Sequence, residues 1–174
     1  SSPDLRRQRG PWGAALTTDG RAAVVGGDNT WLLDSASGAV LAAYPTGVVN
    51  HVLIPADSSA FYIGQLNGIS RVPLSRDAAG AWTGGTLETV TKDHGAVRMA
   101  WCESTQTLAA ARGNGVWLRQ PGNPTAPVRR LETAAEVNPL AVSPDGRWVI
   151  TGLADGESFA FIFDLTAQDN KPCA

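Results

Sequence analysis

Apolar and polar residues alternate along this chain in short runs, each broken by a turn-forming cluster before the next begins. Four segments share one such pattern: ALTTDGRAAVVGG from Ala15, LIPADSSAFYIGQ from Leu53, AWCESTQTLAAARG from Ala100 and AVSPDGRWVITGL from Ala141. Taking the first residue of each second run as Arg21, Ser59, Gln106 and Arg147 gives separations of 38, 47 and 41, the size of a small multi-strand repeat. Before the turn, Leu16, Ile54, Trp101 and Val142 fall in phase, as do Ala14, Val52, Met99 and Leu140 two positions earlier. A period of two predicts that both series lie on one buried strand face. After the turn, AAVVG, AFYIG, LAAA and WVITG are apolar nearly throughout, which predicts central strands covered on both faces.

A second turn follows at Asp28-Asn29, Asn67-Gly68, Asn114-Gly115 and Asp155-Gly156, residue types that tolerate positive φ and so reverse a strand tightly. Third strands are predicted in TWLLD from Thr30, ISRVPL from Ile69, VWLRQ from Val116 and FAFIFDL from Phe159. Fourth strands are predicted in AVLAAY (Ala39 to Tyr44), TLETV (Thr86 to Val90) and PVRRL (Pro127 to Leu131). The last unit lacks one, because only TAQDNKPCA follows Leu165. The one helix-like segment, LETAAEV at Leu131 to Val137, is short and runs into Asn138-Pro139, so it reads as a connection between strands. The insert SRDAAGAWTGG, Ser75 to Gly85, reads as a long loop carrying Trp82.

The expected fold class is therefore all-β, with about four antiparallel four-stranded units at residues 11–47, 48–91, 92–133 and 134–174, after an arm or outer strand at 1–10. SPDG at Ser143 to Gly146, the strand HGAVRMAW at His94 to Trp101, and the strand ends LLD (Leu32 to Asp34) and IFD (Ile162 to Asp164) resemble the WD40-like β-propeller repeat family. The order at the opening is His94-Gly95, and no Trp-Asp dipeptide occurs. For the buried network of that family, the resemblance implies His94, Asn114 and Trp117 in the third unit, with Ala109 and Ala110 where a hydroxyl is wanted. WD40-like propellers usually have about seven blades. Two arrangements follow: a closed four-bladed ring in which Pro3 to Gln8 supplies the missing outer strand, or part of a larger propeller whose remainder is on another polypeptide, on a second copy of this chain, or outside the stretch of sequence given. An open arc exposes apolar blade faces, and the expectation is an incomplete propeller that needs such a partner.

Composition narrows the function. In 174 residues, 14 basic and 16 acidic side chains give a formal charge of -2, with no general field for nucleic acid or anionic lipid. A nucleic-acid site would need Arg6, Arg7, Arg9, Arg129 and Arg130 to form one patch; no nucleic-acid partner is expected. No run approaches the roughly 20 apolar residues of a membrane span, so no membrane partner is expected, and the cytoplasm is slightly favoured. Cys102 and Cys173 are too few for a disulfide scaffold and are expected to stay unpaired.

No motif assembles a catalytic, metal or cofactor site. His51 and His94 are not equivalent in the repeat register, and no HExxH, CxxC or DxDxDG spacing accompanies them. GGDNT and RGNGV lie between strands, whereas a phosphate cradle needs a following helix. Asp28 and Asp155 occupy equivalent turns in the first and last units, with Asn67 and Asn114 between them. The expected function is a non-catalytic protein–protein interaction module or scaffold, with Trp82, Arg71, Arg112 and Arg119 as the side chains best suited to anchor an interface. The alternative is a propeller enzyme of hydrolase or lactonase type, acting on a small molecule or glycan at a central channel.

Overall fold

The computed structural model describes residues 13–154, 159–167 and 169–173. Among them sixteen strands form and no helix, grouped into four antiparallel sheets. The chain divides into two compact units, Ser1–Asp93 and His94–Ala174, each holding two sheets.

In the first unit, β1 (Gly13–Leu16), β2 (Ala22–Gly26), β3 (Thr30–Asp34) and β4 (Val40–Tyr44) pair in chain order. The second sheet orders β5 (His51–Leu53), β6 (Ala60–Gln65) and β7 (Gly68–Arg76), and two strands share the far edge of β7. β9 (Glu88–Thr91) pairs with Ile69 to Arg71, and β8 (Trp82–Gly84) pairs with Leu74 to Arg76. The expected loop at Ser75 to Gly85 is thus a hairpin extension. Asp77 starts its turn by accepting from the Ala79 and Ala81 N–H groups, both at 2.9 Å, and Trp82 sits in a strand. Ala22, Val24, Leu32 and Tyr44 of the first sheet meet Val52, Phe61, Ile63, Val72 and Leu74 of the second in one core.

In the second unit, β10 (Arg98–Cys102), β11 (Thr107–Arg112), β12 (Gly115–Arg119) and β13 (Arg129–Glu132) form the third sheet. β14 (Val137–Val142), β15 (Trp148–Leu153) and β16 (Ala160–Asp164) form a three-stranded fourth sheet. Ala109, Ala111, Val116, Leu118 and Leu131 pack on Val137, Val149 and Phe163. Leu131 to Val137 ends one strand and starts the next without a helix, as expected. Pro3 to Gln8, Arg6, Arg7, Arg9 and the turn Asp155-Gly156 lie outside the described residues.

The in-phase series of the first strands corrects one expectation. Val52 and Ile54 reach the core of the first unit, and Leu140 and Val142 that of the second. In β1, Ala15 makes the core contact and Leu16 is 61% exposed; in β10, Ala100 packs against the unit core, while Met99 of the series is buried, as expected. The series keeps one direction through the repeat, so it points into the unit core only from the second sheet of each pair. The second strands follow suit. β6 and β11 are buried almost throughout, whereas β2 is half-buried at alternate positions and Ile150 of β15 is 45% exposed, so these two central strands are fully buried on one face only.

The first turns are built alike at the two ends of the repeat. In TTDGR and SPDGR, the Thr17 and Ser143 hydroxyls donate to Asp19 and Asp145 and accept from the N–H of Ala22 (3.1 Å) and Trp148 (2.8 Å). The same carboxylates accept from Arg21 N–H (3.2 Å) and Arg147 N–H (3.0 Å), so short polar side chains close the hairpin. The left-handed residue of these turns is Gly20 or Gly146, and in the middle units Ser58 or Gln106. All four second strands start one residue after their register marks, at Ala22, Ala60, Thr107 and Trp148, so the spacing of the repeat holds. At the second turns, Asp28, Asn29, Asn67 and Asn114 do not supply the positive φ; Gly113 does so in the third sheet.

Candidate functional site

Around Trp82 the first unit gathers residues about 60 positions apart in sequence. Trp82 Nε1 donates to Asp19 Oδ1 (3.2 Å), the Arg76 guanidinium lies 4.2 Å from the Trp82 ring centroid, and Arg76 also pairs with Asp19. Asp19 thus accepts from Thr17, Arg21, Arg76 and Trp82, and these donors, the Thr17 hydroxyl first, hold its carboxyl well below the usual range. The indole packs against the core, half-buried, and with Arg21, Asp34 and Leu41 it lines a cavity of about 230 Å³. Arg71, on β7, pairs with Glu88 at 3.0 Å and sits opposite Tyr62. Burial pushes the Tyr62 phenol up, against the pull of the Arg71 charge.

In the second unit, Arg112 ends β11, opposite Gly115. Arg119 ends β12 and lines a cavity of about 390 Å³ with Thr105, Gln120, Pro127, Arg129 and Leu165. Arg129 clamps the segment after β16, donating to Leu165 O (2.8 Å), Ala167 O (2.8 Å), Asp169 O (3.0 Å) and Asn170 Oδ1 (2.7 Å). That segment returns to β16, where Cys173 N–H donates to Ile162 O at 2.7 Å. Arg129 lies in an edge strand, yet its charge is spent on carbonyls instead of solvent.

His94, Asn114 and Trp117 do come together, through Arg130. His94 stacks on Trp117 at 5.1 Å between centroids, Arg130 lies 5.4 Å from the same ring, and Arg130 donates to Asn114 Oδ1 (3.1 Å). The network stops there, since His94 Nδ1 is buried without a hydrogen-bond partner, in keeping with alanine at positions 109 and 110. Cys102 is buried and Cys173 exposed, and both are free thiols. Burial pushes the Cys102 thiol up, but hydrogen bonds from Ser104 and Thr105 outweigh it and hold the thiol below its ordinary value.

Trp82 and Arg71 are carried by the first unit and Arg112 and Arg119 by the second. Trp82 is bound within its own cluster and Arg71 within its own sheet. Among the described residues, no group of three His, Cys, Asp or Glu side chains is placed to hold a metal ion. The Trp82 cluster and the Arg129 clamp escape sequence reasoning because their partners are set by packing between distant segments. The repeated Asp of TTDGR and SPDGR was the one local signal.

A second feature is apolar. By register, Ala14, Leu16, Ala23, Val25, Trp31, Leu33 and Ala43 share the face of the first sheet that points away from the unit core; Leu16 is exposed there, whereas Trp31 is buried. On the fourth sheet, Ala141, Trp148, Ile150, Ala160 and Ile162 share the corresponding outer face. Its one polar corner is Asp164, held by Arg147 at 2.8 Å.

No family model matches this chain, and no curated protein matches it. Solved structures do. Hydrazine synthase of Kuenenia stuttgartiensis matches at a TM-score of 0.72 and 14% identity, over 92% of this chain and 47% of that one. The β-propeller domain of Cps50 (Swd1) from Myceliophteria thermophila matches at 0.68 and 11%, over 82% and 50%. A chain of a nidogen/laminin complex matches at 0.73 and 15%, over 97% and 64%. The chain thus spans about half to two thirds of the length of these structures. At such identities the likeness is one of fold: four sheets of antiparallel meander strands, distantly similar to a β-propeller domain.

Proposed function

We propose that this chain is a non-catalytic interaction module, a WD40-like propeller segment whose apolar sheet faces are completed by another polypeptide or a second copy of the chain. The observation that carries the reading is the exposed apolar part of two outer faces, Leu16 (61%) on the first sheet and Ile150 (45%) on the fourth, beside a Trp31 that is already buried. A sheet of a folded domain ordinarily buries such a face, and a contiguous apolar surface on a soluble protein marks a contact site. The similarity to a β-propeller domain adds that sheets of this kind stack face to face. The names of the similar structures include a synthase and a nidogen/laminin complex, so the fold alone selects neither catalysis nor binding.

The test is the solution mass of the purified chain by light scattering, alone and with candidate partner chains, together with binding of a dye that reports exposed apolar surface. Association with a polypeptide that abolishes dye binding supports the reading. A monodisperse monomer that binds neither dye nor polypeptide refutes it.

A further inference from the structure

We propose that the second unit holds a binding site for a small organic carboxylate, in the cavity of about 390 Å³ where Arg119 ends β12. This cavity shares no residue with the apolar outer faces, so the site goes beyond the interaction reading and stands or falls apart from it.

The sign of the charge comes first. Arg119 and Arg129 line the cavity, and among the described residues no carboxylate does. Arg129 donates to three carbonyls and to the Asn170 amide oxygen, all of them neutral, so these bonds hold its guanidinium in place without cancelling its charge. The two carboxylates next to wall residues are engaged elsewhere. Asp164, beside Leu165, pairs with Arg147 at 2.8 Å, and Asp145, beside Gly146, accepts from the Ser143 hydroxyl and the Arg147 N–H. Two guanidinium groups in one cavity attract an anion.

The rest of the lining says which anion. Thr105, Thr107 and Gln120 are polar, whereas Leu118, Ala126, Pro127 and Leu165 form an apolar wall. A bare inorganic anion would leave that wall uncovered. An uncharged apolar molecule would leave two guanidinium charges without a counter-charge. A carboxylate on a short apolar body meets both, because guanidinium and carboxylate match in fork geometry. The volume falls in the lower part of the small-molecule range, about 300–1,000 Å³.

The walls are also fixed in advance. Gln120 Nε2 donates to Thr105 O (3.2 Å), Ser104 Oγ to Pro144 O (2.8 Å) and Arg129 to Leu165 O (2.8 Å), which ties together four segments distant in sequence. A Cβ at Gly146 would lie 2.6 Å from Thr105 Cγ2, so those two turns already touch. Little ordering is left for the ligand to impose, which favours binding by a small molecule.

The experiment titrates the isotope-labelled full chain with hexanoate, and separately with acetate, hexanol and inorganic phosphate, following amide chemical shifts. Hexanoate is expected to give saturable shifts at Thr105, Thr107, Arg119 and Gly146, with acetate and hexanol about 10-fold or more weaker. Arg119→Gln should weaken hexanoate binding about 10-fold or more. Ala126→Phe, which fills the cavity from the loop before β13, should do the same without a change of charge. Arg98→Gln removes an equal charge at the far end of β10 and should leave binding unchanged. Circular dichroism checks that each variant folds. Absence of saturable shifts at those amides with hexanoate overturns the proposal, as does acetate or hexanol binding as tightly as hexanoate. Tighter binding of phosphate overturns the carboxylate assignment, and tighter binding of a terminally blocked peptide carrying one Glu overturns the assignment to a small molecule. A folded Arg119→Gln chain that binds like the wild type also refutes it. Should that variant not fold, undiminished binding to Ala126→Phe decides against the cavity.

Discussion

Gly84 on β8 is the position at which one added methyl group tests how the hairpin extension is locked to the first sheet. A Cβ at Gly84 would overlap the Tyr44 hydroxyl and lie 3.2 Å from Tyr44 Cζ and 3.5 Å from Leu32 Cδ2. Tyr44 cannot swing aside freely. It is 8% exposed, its ring meets Phe61 edge-on at 5.7 Å and 71°, and its hydroxyl donates to Gly85 O at 3.2 Å. Displacing it loses that hydrogen bond, about 1 kcal/mol, and forces the ring into a filled core, about 1–3 kcal/mol. Gly84→Ala should thus cost about 2–4 kcal/mol, a fall in melting temperature of roughly 6–12 °C at 3 kcal/mol. Tyr44→Phe alone should cost about 1 kcal/mol. With the hydroxyl gone only the ring carbon crowds the new methyl, so Gly84→Ala should cost about 1 kcal/mol or less in the Phe background. Urea unfolding of the four chains closes the double-mutant cycle. Equal costs of Gly84→Ala in both backgrounds, within about 0.5 kcal/mol, would refute the hydroxyl overlap as the cause.

Gly146 combines a φ of +73° with a Cβ position that would overlap Thr105, so Gly146→Ala is expected to cost at least about 1–2 kcal/mol in urea unfolding. Arg129→Ala should release the segment after β16: hydrogen exchange at the Cys173 and Glu132 amides should speed up, while β10 to β12 stay protected. Asp164 and Asp19 are held below the usual carboxylate range, Asp164 chiefly by Arg147 and Asp19 chiefly by Thr17. Their contribution is therefore complete above the unfolded value near 3.9 and is lost as pH falls toward the folded one. Melting temperature should fall below about pH 4, and Asp164→Asn should shallow that decline; an unchanged slope would count against the Arg147 pairing as its source.

Much of the fold was legible because a meander writes itself locally. TWLLD became β3 as it stood, and AFYIG lies within β6, since alternation and turn residues act over a few positions. Faces were harder. Leu16 and Ile54 share a phase, but which of them reaches a core depends on which neighbouring sheet is present, and no local pattern carries that. The insert at Ser75 to Gly85 was misjudged because Asp77 and Gly80 signal a turn without saying that the residues beyond it pair back on β7. For the site, Trp82 stood out as an aromatic, but its partner Asp19 comes from another sheet. Arg129 looked like any edge-strand arginine until the chain beyond β16 folded over it.

Every strand pairing among the described residues joins neighbours in sequence, apart from β9 with β7. That locality has a kinetic consequence. Hairpins of this size form in about 1–10 μs, because little chain entropy is lost in closing a short loop. The first sheet holds all its strands once Tyr44 has left the ribosome, so the slower event is sheet docking on sheet, through Phe61, Ile63 and Val72 in the first unit and Val137, Val149 and Phe163 in the second. Truncating these core side chains should slow folding more than weakening any turn, and folding should advance with synthesis, one sheet at a time.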